Sequence, residues 1–110
     1  TYDGARTGNQ NAPIDMLRSG VATSTTPFIV PYNAILVAIS IATSANNTWT
    51  GSVLQNGATI ASVSVTGAAN GYNGNLNINL NAGDQIRLRM TANTGTVNNP
   101  SITAYFKKRI

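Results

Sequence analysis

Hydrophobic positions recur along much of this chain with a period of two. Leu76, Ile78 and Leu80 alternate with Asn77 and Asn79. Ile86, Leu88 and Met90 alternate with Arg87 and Arg89, and Ile102, Ala104 and Phe106 alternate with Thr103 and Tyr105. Such alternation turns one face of a β-strand to a core and the other to solvent, which predicts strands over residues 76–80, 85–91 and 101–107. The turn between the first two is Asn81-Ala82-Gly83-Asp84. Residues 33–43 form the longest predicted strand, with Ile35, Val37, Ile39 and Ile41 on one face and Leu36, Ala38, Ser40 and Ala42 on the other. Apolar side chains on both faces predict cover on both sides, as in a sandwich or at a subunit interface. Residues 49–55 and 59–65 flank Asn56-Gly57, the dipeptide best suited to a type I′ hairpin because both central residues need positive φ. Trp49, Gly51 and Val53 share a face of one arm, and Ala61, Val63 and Val65 a face of the other. Phe28-Ile29-Val30 lies between Pro27 and Pro31 and reads as a short edge strand, since proline cannot donate to a ladder. Residues 14–18 form a first short strand, followed by a loop over 20–26. Residues 1–13, poor in large apolar side chains, read as an extended arm or linker that a neighbour orders, leaving 14–110 as the domain.

The composition fits this reading. Asn (15), Thr (14), Gly (10) and Ser (8) make up a large share of the 110 residues; threonine suits pleated strands, and asparagine and glycine tolerate tight turns. Good helix formers for a surface are scarce, so helix is not expected. The length allows one domain, and seven or eight strands with regular turn signals predict an all-β, antiparallel β-sandwich of jelly-roll-like form. No repeat of 20–50 residues is present. The longest apolar run falls far short of the ~20 residues that span a bilayer, so membrane insertion is not expected. The chain opens on Thr1 without a charged-then-apolar leader, which reads as a processed protein or a piece of a longer one.

Charge narrows the chemistry. Seven Lys and Arg stand against three acids, Asp3, Asp15 and Asp84, with no Glu, His or Cys. A thiolate or imidazole catalyst, a disulfide framework and the usual zinc or haem ligands are therefore excluded. Three scattered carboxylates do not readily make an acid/base pair or a calcium cage unless a symmetric oligomer brings copies together. The expectation is a non-enzymatic chain with no metal and no cofactor. The net charge of +4 reflects missing acids as much as abundant bases. Single-stranded nucleic acid binding through Arg87, Arg89 and Lys107-Lys108-Arg109 is not expected, because phosphate neutralisation asks for a longer basic stripe.

Among the remaining candidates, Asp84 suits a turn role, accepting backbone N–H groups, and Trp49 suits a core or interface anchor. Arg87 and Arg89 share the outward face of a strand, where planar forks hold a carboxylate, phosphate or sulfate or form subunit salt bridges. Tyr72, in the glycine-rich stretch Gly71-Tyr72-Asn73-Gly74, offers a face for sugar stacking or partner contact. With Asn46, Asn47 and Asn73, whose amides can both donate to and accept from sugar hydroxyls, it marks Asn-rich loops expected over residues 45–48, 69–75 and 93–99. The triplet Asn46-Asn47-Thr48 also matches a glycosylation acceptor, as chance allows in so Asn- and Thr-rich a chain.

Several blocks taken in order resemble a known domain. They are Leu17-Arg18-Ser19-Gly20-Val21-Ala22-Thr23; Thr26-Pro27-Phe28-Ile29-Val30-Pro31-Tyr32-Asn33-Ala34 running into the long strand; Thr48-Trp49-Thr50 leading to Val53-Leu54-Gln55-Asn56-Gly57; residues 76–84 with Ile86-Arg87-Leu88; and Asn98-Asn99-Pro100-Ser101-Ile102-Thr103-Ala104-Tyr105-Phe106. From Leu17 to Lys107 the chain is similar to the C-terminal β-sandwich domain of tailed-bacteriophage fibre and virion surface proteins. The resemblance carries no catalytic motif. It implies a compact module on the virion surface, commonly a homo-trimer, that binds a host surface glycan or protein or attaches to other virion parts. A tail-fibre tip is the first expectation; the alternative is a capsid decoration or head-fibre protein attached to other virion proteins through residues 1–13. Where related blocks carry acids around the hairpin and later strands, this chain has Asn, Thr or Arg. The two-sided apolar strand at 33–43 and the low charge independently point to an oligomer, since a lone sandwich would be left with uncovered patches.

Overall fold

The computed structural model describes residues 1–109, which form strands and no helix. In chain order they are β1 (Tyr2–Ala5), β2 (Asn9–Gln10), β3 (Ile14–Asp15), β4 (Leu17–Arg18), β5 (Val21–Ala22), β6 (Phe28–Ile29), β7 (Ala34–Gln55), β8 (Ala58–Asn73), β9 (Ile78–Leu80), β10 (Gln85–Thr94), β11 (Val97–Asn98) and β12 (Ser101–Lys108). Every pairing is antiparallel, and the main sheet runs β3-β10-β7-β12-β1-β4-β5, with β8 and β9 on β7 and β6 on β10. The all-β antiparallel sandwich read from the sequence is the fold, in a nearly closed, barrel-like form. Its twelve strands exceed the expected seven or eight because short edge segments make separate two-residue ladders.

The fold turns on β7 and β8. The first part of β7, from Ala34 to Ala42, pairs with β12, and the last part, from Thr48 to Gln55, pairs with β10. Register breaks between Ala42 and Asn47 and between Asn47 and Trp49 interrupt its ladder with β8, and both strands pass from one layer to the other. Such breaks bend a strand. The close approach of the layers is visible at Gly51, where a Cβ would stand 2.6 Å from Ile41 Cγ2 and 3.1 Å from Ile102 Cδ1. Only glycine fits where the strand folds over its own first half.

The hairpin turn lies where the sequence puts it. Gln55 pairs with Ala58, and Asn56 and Gly57 take φ of 50° and 90°. Asp84 Oδ2 accepts from Gln55 Nε2 at 2.6 Å and from the Asn81 N–H at 2.8 Å, and Oδ1 accepts from Asn56 Nδ2 at 3.2 Å. One carboxylate therefore closes its own turn and ties it to the neighbouring one. These bonds, led by that of the Asn81 N–H, hold the Asp84 carboxyl below its ordinary pKa, against a smaller opposing effect of burial.

The two-sided apolar pattern of residues 33–43 has an internal cause. Tyr105 pairs with Ala38 and Phe106 with Leu36, which leaves Val37 as an extra residue in β7. The bulge reverses the inward parity: Ala34 and Leu36 are buried before it, Ile39 and Ile41 after it. Apolar residues of both predicted faces thus reach this chain's own core, and the sequence argument for an interface loses that support.

The amino-terminal segment is also corrected. Tyr2 pairs with Ala104, Asp3 with Thr103, Gly4 with Ile102 and Ala5 with Ser101, so the first residues are a full sheet strand rather than an arm. Tyr2 is 3% exposed, and its ring stacks on Phe28, which stacks on Phe106, at 5.1 and 5.7 Å between centroids. One large aromatic residue within four was enough to anchor a strand that the composition made look free. Asn9 and Gln10 pair in turn with Asn98 and Val97.

Residues 14–23 close the barrel's seam. β3 lies on β10, β4 lies on β1, and the fully buried Met16 sits between them. Met16 N–H donates to Leu88 O and Met16 O accepts from Thr23 N–H, both at 2.9 Å. The buried Thr23 hydroxyl accepts from Leu88 N–H at 3.2 Å and donates to Leu88 O at 3.0 Å. A side chain thus fills a gap in the ladder on the edge of β10, where bare backbone groups would be costly. The core includes Trp49, Leu36, Ile39, Ile41, Val53, Leu80, Ile86, Leu88, Met90, Ile102 and Ala104, which matches the inward sets read from the alternation.

Candidate functional site

The register brings one row of outward side chains together across four strands. Tyr72 on β8 lies opposite Ser40 on β7, Ser40 opposite Thr103 on β12, and Thr103 opposite Asp3 on β1. Their chain neighbours Ile39, Ile41, Ile102, Ala104 and Tyr2 fill the core, and because side chains alternate, the row itself faces outward. Tyr105 joins it, with its Oη 3.1 Å from Ser40 Oγ. At the far end the Asp3 carboxylate pairs with the Arg18 guanidinium, which also lies 5.5 Å from the Tyr2 ring centroid. Asp3, Arg18, Ser101 and Thr103 help to line a shallow depression of about 340 Å³.

Tyr72 gives this face its character. It is 69% exposed, the most exposed large hydrophobic side chain among the described residues. A Cβ at Gly74 would press on the outer end of the Tyr72 ring, so glycine there leaves room for the ring to lie over the following turn. Asn73 Oδ1 accepts from Asn75 N–H at 3.1 Å, which shapes the turn that follows. An aromatic ring, three hydroxyl side chains and an ion pair on one flat face form a surface suited to stacking and hydrogen bonding with a polyhydroxylated ligand.

The other sequence candidates lie elsewhere. Asn46 is exposed, but Asn47 is tied inward: its Nδ2 donates to Thr96 O at 3.2 Å, and its Oδ1 accepts from Asn98 N–H at 3.1 Å. Asn98 in turn bonds Asn9, Asn99 Nδ2 donates to Ser44 Oγ, and Asn93 Oδ1 accepts from Ala12 N–H. The amides at this end brace one another and the first residues. Residues 45–48 and 69–73 are strand rather than the loops expected.

Arg87 and Arg89 face outward at the seam edge of β10, away from the Tyr72 row. Arg89 Nε donates to Asp15 Oδ1 at 2.8 Å. Burial pushes the Asp15 carboxyl up, but the hydrogen bonds from Arg89 and Ser24 and the charges of Arg89 and Arg87 together hold it below its ordinary pKa. Trp49 is a core residue, at 2% exposure.

The sequence reading missed Asp3, Arg18, Ser40, Thr103 and Tyr105 as parts of a surface. The outward parity of Thr103 and Tyr105 was legible in the alternation. Their meeting with Tyr72 was not, because it depends on the register of three pairings between segments far apart in the chain. No family model matches the chain, and no curated protein matches it.

Proposed function

We propose that this chain is a non-enzymatic binding module of a bacteriophage virion surface, most simply a tail-fibre tip. In this reading it contacts a host surface glycan or protein through the outward face of β8, β7, β12 and β1. The observation that carries the proposal is Tyr72, a large aromatic ring open to solvent over Gly74 beside the hydroxyls of Ser40 and Tyr105. A single exposed ring is ordinary on a protein surface; what sets Tyr72 apart is the row of hydroxyls beside it. Ring stacking with hydroxyl hydrogen bonds is the chemistry by which a protein holds a sugar, and weak single contacts gain avidity when a virion displays many copies.

A homo-trimer belongs to the same proposal. Three-fold closure needs a contact between two different patches of the chain. The outer edge of β8 is one: residues 58–73 contain no charged residue and no proline, so between its register breaks no charge or proline guards it against pairing. The corner of β5 and β6, with Val21 39% and Ile29 50% exposed, supplies the other. Attachment through residues 1–13, the basis of the head-decoration alternative, finds little free chain, since β1 and β2 are built into the fold.

The experiment is binding of the labelled chain to host bacterial cells, with solubilised surface polysaccharide as competitor. Saturable binding that the polysaccharide displaces supports the glycan reading. Binding that protease treatment of the cells abolishes points to a protein receptor, and absence of saturable binding to any host contradicts the proposal.

A further inference from the structure

Two arginines bond one aspartate at the seam. Arg6 Nε donates to the Asp15 carbonyl oxygen at 2.8 Å, Arg89 Nε donates to Asp15 Oδ1 at 2.8 Å, and the charge of Arg87 also acts on that carboxylate. The ladder fixes this geometry, because Asp15 and Arg89 are register partners in β3 and β10. Arg6 and Arg89 each bond Asp15 through Nε alone, and among the described residues their terminal guanidinium nitrogens make no hydrogen bond. Two planar forks are thus held from behind with donors to spare. Arg6, Asp15 and Arg89 line a depression of about 310 Å³ with Pro13 and Ile14 as apolar wall. The Arg89 side chain is 32% exposed there, held but reachable.

We propose that Arg6 and Arg89, oriented on Asp15, form an oxyanion site that takes the carboxylate of an acidic sugar. Arg6, Asp15 and Arg89 leave the lining at +1, and Arg87 adds a further positive charge beside it, so the site attracts an anion. The apolar wall rather than the charge balance favours a sugar carboxylate over phosphate. The apolar wall suits the C–H face of a pyranose ring, and the volume lies at the lower end of small-ligand sites. The site shares no lining residue with the depression at the Asp3 end of the Tyr72 row, so it can be tested apart from that surface.

The test is titration of the ¹⁵N-labelled chain with glucuronate at low salt, followed by amide shifts. Glucose, acetate and inorganic phosphate serve as comparison probes. The expected result is saturating shifts centred on Ile14, Asp15 and Arg89 with a Kd on the order of 1 mM, weaker binding of acetate and phosphate, and none of glucose. Arg89→Lys, which keeps the charge and loses the fork, and Arg6→Gln are each expected to weaken glucuronate about tenfold. Arg6→Gln decides the matter if Arg89→Lys lowers stability, because the Arg6 bond runs only to a backbone carbonyl. Shifts centred elsewhere, no saturation, undiminished binding by a folded Arg6→Gln, or equal binding of glucose, acetate or phosphate would overturn the proposal.

Discussion

Thr23 carries more of the fold than its size implies, since its one hydroxyl serves both the N–H and the C=O of Leu88 inside the seam. Thr23→Val keeps the shape and removes both bonds. The Leu88 N–H is then left without a partner, while its C=O keeps the Met16 N–H. The expected cost is about 1–3 kcal/mol, read as a lower denaturant midpoint, with Thr23→Ser retaining most of the stability. A second prediction at this scale concerns acid. The carboxyls of Asp15 and Asp84 titrate lower in the folded chain than their ordinary values, so around and below pH 4 the unfolded chain binds more protons than the folded one. The stability they contribute is fully present above about pH 4 and is lost as pH falls through the depressed folded values. Denaturation series at neutral pH and down to about pH 2 should show that loss, with a shallower fall in Asp84→Asn; a flat profile would contradict it. The role of Asp84 was legible because its turn is local. The partner of Asp15 was not, because Arg89 lies 74 positions away.

At the scale of elements, the strands with strict alternation were legible, and so was the Asn56-Gly57 turn. Two features were not. The bulge at Val37 places apolar residues of both predicted faces of one strand in the same core, which from sequence looks like a surface waiting for a partner. β1 is short and rich in small residues, yet Tyr2 and Gly4 lock it in place; a Cβ at Gly4 would stand 2.9 Å from Met16 Cβ. Truncation distinguishes a strand from an arm. Removing residues 1–5 uncovers β12 and takes away the Tyr2 ring, whose burial is worth roughly 1.5–3 kcal/mol, and should lower Tm clearly, whereas loss of a free arm would leave Tm unchanged.

For the whole molecule, charge is divided by the fold. Asp3 and Arg18 cancel, Arg6, Arg87 and Arg89 outweigh Asp15 by two, and Lys107, Lys108 and Arg109 outweigh Asp84 by two, which gives the +4 of the chain. Arg109 Nη2 reaches Asn81 Oδ1 at 3.0 Å, next to the Asp84 turn. The middle of the Tyr72 face therefore carries hydroxyls rather than charge, so binding there should depend only weakly on salt. The proposed trimer is checked by mass in solution. Three copies are expected for the native chain and one for Thr66→Lys, which charges the edge of β8; a native monomer would remove the trimer from the account.

The claim at the centre is that the face around Tyr72 does the binding. The most direct measurement compares host-cell binding by the native chain and by Tyr72→Ala, after confirming that both unfold at the same temperature, as an exposed ring predicts. A loss of about tenfold or more in affinity, in keeping with ~1–3 kcal/mol for a lost aromatic stacking contact, is the expected result. Equal binding by the two chains would contradict the account and move recognition off this face.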